Sequence, residues 1–388
     1  MLTDSYFKPL LDIDPEKVPC SPAWVIDTKL LENNLAILKE VSDKSGANIL
    51  LALKGFATWA TFPLVARYLH GATASSPHEA RLAKEELGKA VHGYAPAYSE
   101  DDFVAMTEYC DHIVFNSPSQ LKRFRNHPCL KNREISFALR VNPEHSEVDV
   151  ALYDPCAPRS RLGTTIEQLI GEDLDGIDGL HFHTLCELGY DALERTLRVI
   201  EEKFSKQLEQ VSWVNFGGGH HITKPGYQTD KLVALIRDFR ERYNVEVYLE
   251  PGEAIAIRTG VLVTTVLDII ENHGNSAILD CSATAHMPDV LEMPYRPEIA
   301  DGAAVGIKQF DYRLGGLTCL AGDIIGDYSF DRKLQIGQRL SILDMSHYTM
   351  VKTSSFNGVK LPALVLKDGE EYRLVKDFGY ETYRDRLS

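Results

Sequence analysis

Four short clusters in the chain carry residue types that are costly to place in a folded protein unless they do something. Lys54 ends the apolar run of NILLALKGF, where an ammonium is expensive to bury unless it is paired or modified. Condensation with an aldehyde would resolve the conflict and use the amine as a nucleophile. A lysine that snorkels to solvent is the plainer alternative for that residue taken alone. In GLHFHT, His181 and His183 alternate and so point to the same side of a strand. Such a pair can chelate a metal, or one ring can stack on a flat cofactor. His220 and His221 are the nearby reinforcements, and neither is an obvious strand-end ligand, so we expect stacking by His183 and no metal. Gly217, Gly218 and Gly219 follow Phe216 and would let backbone N–H groups approach a phosphate without a Cβ in the way. A tight turn is the commoner meaning of three glycines, and neither the GK[ST] nor the GxGxxG pattern is present. Glu250, in VYLEPGE, could hold a proton on the ring nitrogen of an aromatic cofactor and so deepen its electron sink. Otherwise it caps the turn at Pro251-Gly252.

Elements that could hold these clusters follow from the hydrophobic pattern. Short apolar runs at 48–53, 71–74, 91–95, 112–116, 135–141, 179–184, 211–216 and 245–250 read as strands, with amphipathic stretches such as 76–87 and 191–204 between them. Leu193, Leu197, Ile200 and Phe204 share one helical face, and Ser76 with Glu79 has capping-box spacing. Eight strands alternating with helices suggest a closed (β/α)8 barrel, although an open doubly wound sheet gives much the same pattern. All four clusters then lie at strand ends, where barrel enzymes place their chemistry. After about Thr259 the runs VLVTTVLDII, SAILDCSA, QRLSILDM and PALVLKDG read as strands without long helices. The expected class is α/β plus β: a barrel over 28–258, and a β-rich sandwich or barrel over 1–27 plus 259–388. The extended segment around Trp24 would join the latter.

Composition narrows the chemistry further. At 388 residues the chain exceeds one ordinary core. A formal charge of −15 argues against nucleic acid, whose affinity rests on basic residues, and permits a small cationic substrate. No apolar run is long enough to span a membrane, and the first residues lack a secretory pattern. Seven scattered cysteines without CxxC pairs suggest reduced thiols in the cytoplasm.

Taken together, from Trp24 to Pro362, these motifs resemble the barrel-type pyridoxal-phosphate decarboxylases, a family that includes ornithine and diaminopimelate decarboxylases. The resemblance implies pyridoxal 5′-phosphate bound covalently to Lys54, a ring stacked by His183, a phosphate held by Gly217, Gly218 and Gly219, and Glu250 on the pyridine nitrogen. GGLTCLAGD resembles the loop carrying a catalytic cysteine, here Cys319, that reaches the partner's site in a homodimer with shared active sites. SHYT followed by SSFNG resembles the closing segment, with Tyr348 on the phosphate. Two departures stand out. Glu253 replaces the arginine that follows EPG in better-known relatives. A carboxylate about 4 Å from a phosphate charge is repelled by roughly 4 kcal/mol at an effective dielectric near 20, so Glu253 suits a substrate ammonium better. Leu320 follows Cys319 where relatives offer an acid, which leaves Asp289, Glu292 and Asp323 as further acids for the distal amine. This pattern most resembles the carboxynorspermidine-decarboxylase branch, which forms norspermidine or spermidine. A diaminopimelate, ornithine or arginine decarboxylase, a silent cofactor-binding paralogue and a metal-dependent barrel hydrolase are the rival readings.

Overall fold

The computed structural model of the chain describes residues 4–388. They form two compact units, one of Glu32–Ile255 and one joining the described residues up to Leu31 with Ala256–Ser388. Strand β1 (Ala23–Asp27) belongs to the second unit. The first unit is a closed barrel of β2 (Asn48–Ala52), β3 (Gly71–Ala74), β4 (Ala90–Tyr94), β5 (His112–Phe115), β6 (Ser136–Arg140), β7 (Gly179–His181), β8 (Trp213–Asn215) and β9 (Glu246–Leu249). Neighbouring strands run parallel, and β9 closes on β2. The eight strands match the eight apolar runs: six are trimmed at their ends, β3 is unchanged and β4 is displaced by one residue.

Alternation along each strand decides what fills the barrel and what emerges at its mouth. Leu50, Val114, Ala138, Trp213 and Tyr248 pack together inside, with Tyr94 against them. A Cβ on Gly179 would stand 2.2 Å from the Trp213 ring, so this glycine makes room for the indole. His92 stacks on His112 in the same interior, ring centroids 3.9 Å apart. Moving along these strands in steps of two brings Lys54 after Leu50 and Ala52, Arg140 after Ala138, Asn215 after Trp213 and Glu250 after Tyr248. His181 follows Gly179 in the same way. The polar residues therefore collect in the layers nearest the C-terminal ends of the strands.

Connections obey local rules. Ser76 Oγ accepts the Glu79 N–H at 3.2 Å, while the Glu79 carboxylate accepts from Ser75 N at 2.6 Å, one residue earlier than a capping box requires. The helix Pro77–Leu82 passes into a wider π-type turn over Ala83–Leu87 and stops at Gly88, whose φ of 67° is left-handed. The helix expected at 191–204 spans Tyr190–Leu208 and buries Leu193, Leu197, Ile200 and Phe204.

The second unit is one mixed eight-stranded sheet. It contains β1, β10 (Gly260–Glu271), β11 (Asn275–Leu279), β12 (Phe310–Gly315), β13 (Ile324–Phe330), β14 (Arg339–Leu343), β15 (Ala363–Asp368) and β16 (Glu371–Lys376). β1 pairs antiparallel with β10 and parallel with β15. The period of two feeds two cores from opposite faces. Trp24, Leu262 and Ile342 enter one core, and Ala23, Val25, Val261, Val263 and Leu343 enter the other. Among the described residues, no helix is long and apolar enough to cross a membrane.

Candidate active site

Glu250 follows the last residue of β9 and is 9% exposed. Its Oε1 accepts from Asn215 Nδ2 at 2.8 Å, and its Oε2 lies 3.3 Å from His181 Nε2. Burial alone would push this carboxyl up. The neighbouring His181, with His92 and Lys54, outweighs burial and holds it below the ordinary carboxylate range. Burial pushes His181 below the usual imidazole range, opposed by Glu250. Between the two, His181 Nε2–H donates to the Glu250 carboxylate. Asn215 is fixed in turn, since its Oδ1 accepts the Gly217 N–H at 2.8 Å.

Lys54 leaves β2 through a turn closed by Gly55 N on Ala52 O at 3.0 Å. Its side chain is exposed to solvent, although protein packs around the amine closely enough to perturb it. Burial pushes its pKa down. Glu250 pulls it up again, and Arg140 adds to the lowering. A larger share of the amine is therefore neutral and nucleophilic than for a surface lysine. Arg140 is 4% exposed, donates to His183 O at 3.3 Å and lies 4.7 Å from the Tyr94 ring centre. Tyr94 itself stacks on His181.

The three glycines form a tightly packed strip beside these groups. A Cβ on Gly217 would meet Phe182 O at 2.4 Å, one on Gly218 would meet Glu250 O at 2.5 Å, and one on Gly219 would meet Leu185 O at 2.0 Å. Gly217 and Gly219 also have φ of 69° and 83°, so side chains are excluded by both space and backbone. Gly218 N donates to His183 Nδ1 at 2.9 Å, which places the ring proton on Nε2. Burial first, then Lys54 and Arg140, keep this imidazole well below its ordinary pKa and therefore neutral. An amine of lowered pKa, an ionised carboxylate, a neutral flat ring and a side-chain-free strip are groups that would fit a pyridoxal phosphate, in keeping with the expectation for Lys54, Glu250, His183 and Gly217–Gly219.

The other expected residues lie in the sheet unit. Cys319 is exposed between β12 and β13, its N–H donating to Asn357 Oδ1 at 2.9 Å. The GGLTCLAGD and SSFNG motifs are thus joined by that bond. Tyr348 begins the short helix Tyr348–Val351 and is half-buried. Asp289 Oδ2 accepts from Tyr295 at 2.9 Å and Thr349 at 2.7 Å, while its Oδ1 is buried without a hydrogen bond. Glu292 is exposed and ion-paired with Lys352. Asp323 corrects the expectation made for it. It is 3% exposed, and its two oxygens accept from Ser282, Thr284 N, and the Thr318 N–H and hydroxyl. A carboxylate saturated in this way anchors the Gly316–Thr318 turn and has no capacity left for a substrate amine.

Several residues near Lys54 were not singled out from the sequence. Arg140 and Asn215 carry the signal that marked Lys54, a polar group closing an apolar strand, but lack a distinctive neighbouring motif. Glu79 was read as a cap alone, although burial raises its carboxyl and Lys54 opposes the rise. Cys186 is half-buried, its thiol pushed up to about 11 by burial, then by Glu187 and Glu253, with Lys54 opposing.

With this geometry in hand, comparisons with known proteins converge. A family model described as pyridoxal-dependent decarboxylase, C-terminal sheet domain, matches residues 23–346. The chain is 46% identical to a carboxynorspermidine/carboxyspermidine decarboxylase of Campylobacter jejuni, covering 94% of this chain and 97% of that protein. It is 48% identical to a carboxyaminopropylagmatine decarboxylase of Synechocystis, covering 95% of each. The crystal structure of carboxynorspermidine decarboxylase complexed with norspermidine, also from Campylobacter jejuni, superposes with a TM-score of 0.88 at 44% identity, over 94% of this chain and 99% of that one. The chain belongs to the pyridoxal-dependent decarboxylase family.

Proposed function

We propose that this protein removes the α-carboxylate of carboxynorspermidine and carboxyspermidine, releasing CO2 and norspermidine or spermidine. The observation that carries this reading is near-full-length identity of 46% to a decarboxylase of those two substrates. Glu253 in the EPG motif and a formal charge of −15 agree with a polycationic substrate. The reaction breaks the Cα–carboxylate bond and returns one proton to Cα. When bound, the cofactor supplies a conjugated ring that accepts the electron pair left by the departing CO2.

The chain's own groups then have defined tasks. Lys54, with its depressed pKa, is the amine that would hold the cofactor. Glu250, oriented by Asn215 and His181, keeps a proton on the ring nitrogen. Neutral His183 covers a face of the ring without adding charge. Cys319 is the proton donor to Cα, acting in a homodimer across the subunit boundary, and Tyr348 holds the phosphate. A randomly reassorted equal mixture of Lys54→Ala and Cys319→Ala chains would regain about a quarter of the wild-type activity if sites are shared, and none if they are not. Negative charge for the substrate's amines comes from Asp289, whose buried Oδ1 has no hydrogen bond, and from Glu292. Glu253 Oε2 stands 3.2 Å from His221 Nε2. We place the enzyme in the cytoplasm, free of nucleic-acid and membrane partners, on its acidity and scattered thiols.

A second reading is favoured by the 48% identity to the Synechocystis enzyme: a carboxylated substrate ending in a guanidinium. CO2 release from carboxynorspermidine, carboxyspermidine, carboxyaminopropylagmatine, diaminopimelate and ornithine decides between them. The proposal requires the first two to have the highest kcat/KM. Preference for the third transfers the assignment, and turnover confined to the last two rejects both readings.

A further inference from the structure

The loops after β7, β8 and β9 bring Glu187, His221 and Glu253 together, with one ligand atom from each lying within 4.8 Å of the others. His221 is 4% exposed, and neither ring nitrogen has a hydrogen-bond partner. Its Nε2 nevertheless stands 3.2 Å from Glu253 Oε2. A buried imidazole that faces a carboxylate oxygen without bonding to it leaves polar capacity unused, at a cost that a third species would remove. Two ligand atoms each about 2.1 Å from one ion stand about 3.0–3.4 Å apart at tetrahedral or octahedral angles. The observed separation is of that size. Glu187 is the exposed member of the three.

The cluster also sits where the chain's charge pattern is unusual. Leu188 N donates to Gly219 O at 3.0 Å and His221 N donates to Leu188 O at 3.3 Å, so Glu187 and His221 are tied to the glycine strip by the backbone. Glu253 stands where better-known relatives carry an arginine, and a bare carboxylate there repels a phosphate. A dication held by Glu253 reverses that sign, since a bound ion dominates its local field.

We propose that Glu187, His221 and Glu253 form a site for a divalent metal ion beside the glycine strip, one imidazole with two carboxylates, suited to Mn2+ or Zn2+. The ion's role toward the phosphate rests on the cofactor reading above, but its binding does not. Holoenzyme freed of divalent ions by chelator and dialysis is titrated with Mn2+, bound and free ion being separated by electron paramagnetic resonance while absorbance reports cofactor content in the same samples. One saturable Mn2+ per chain is expected, weakened at least tenfold in His221→Ala and Glu253→Gln and by less in Glu187→Gln. Should His221→Ala fail to fold, the exposed Glu187→Gln together with Glu253→Gln still decides the matter. Absence of saturable binding, or equal binding by the variants, overturns the proposal. So does full competitive displacement of Mn2+ by norspermidine, which would make the cluster an ammonium pocket. A sample without the cofactor band that still binds Mn2+ would defeat the cofactor reading and leave this one standing.

Discussion

The mouth and the floor of the barrel are built from the same strands, often two residues apart, yet they treat polar groups in opposite ways. At the floor His92 lies on His112 beside Trp213 and Tyr248, and neither nitrogen of His92 has a partner. Burial pushes both imidazoles down, so the floor is polar in residue type and disfavours charge. At the mouth Glu250 keeps its charge because Asn215, His181 and Lys54 surround it. A buried charge survives where partners compensate its desolvation, and otherwise the group neutralises. Chemistry is therefore possible at one end of the barrel, and packing is what the other end provides.

Substitutions at the mouth should strike turnover hardest. Lys54→Ala is expected to lower kcat by more than about 10³-fold and remove the visible cofactor band. A retained band would take Lys54 out of its role. Glu250→Gln, which keeps shape and deletes charge, should cost roughly 10²–10³ in kcat with a smaller change in KM. If KM moves and kcat does not, the carboxylate serves binding alone. Asn215→Ala should destabilise the fold by about 1–3 kcal/mol through the loss of a hydrogen bond to a buried charge, read as a lower Tm. An unchanged Tm would mean that His181 orients Glu250 by itself.

The floor should speak through acid stability. A histidine whose folded pKa lies below its unfolded value near 6.5 leaves stability intact above that pH. Below it the unfolded chain takes up protons that the folded chain refuses, so stability falls as pH falls. For Glu250 the same direction applies in a lower window, beginning near the unfolded value of 4.5. Replacing His112 with Phe should flatten the fall in Tm between about pH 6.5 and 5 and leave kcat unchanged. Equal slopes for variant and wild type would erase the distinction between the two ends.

Much of this arrangement is visible in the sequence, because it is written in alternation. The eight barrel strands are apolar runs, and the chemical residues are the polar interruptions that close them. What escaped was β12, β13 and β16. FDYRLG and IIGDYSF mix Asp, Arg and Gly into strands whose buried positions do not alternate, and EYRLVK is a charged edge strand with no buried residue. Edge and half-covered strands lack the contrast that periodicity needs. At the site, Lys54, Glu250 and the glycines announce themselves by motif, whereas Asn215 and Arg140 become meaningful only when the barrel closes and their strands meet. Asp323 misled because an acid in a Gly-rich turn looks available until Ser282 and Thr284 arrive from elsewhere in the chain.

The cofactor is expected to be bound covalently to the amine at the mouth of β2. Borohydride reduction of the purified holoenzyme, followed by proteolysis and mass spectrometry, tests it without any assumption about substrate. Reduced pyridoxal phosphate is expected on the peptide containing Lys54 and on no other. An unmodified Lys54 peptide, or the adduct on a different lysine, would contradict it.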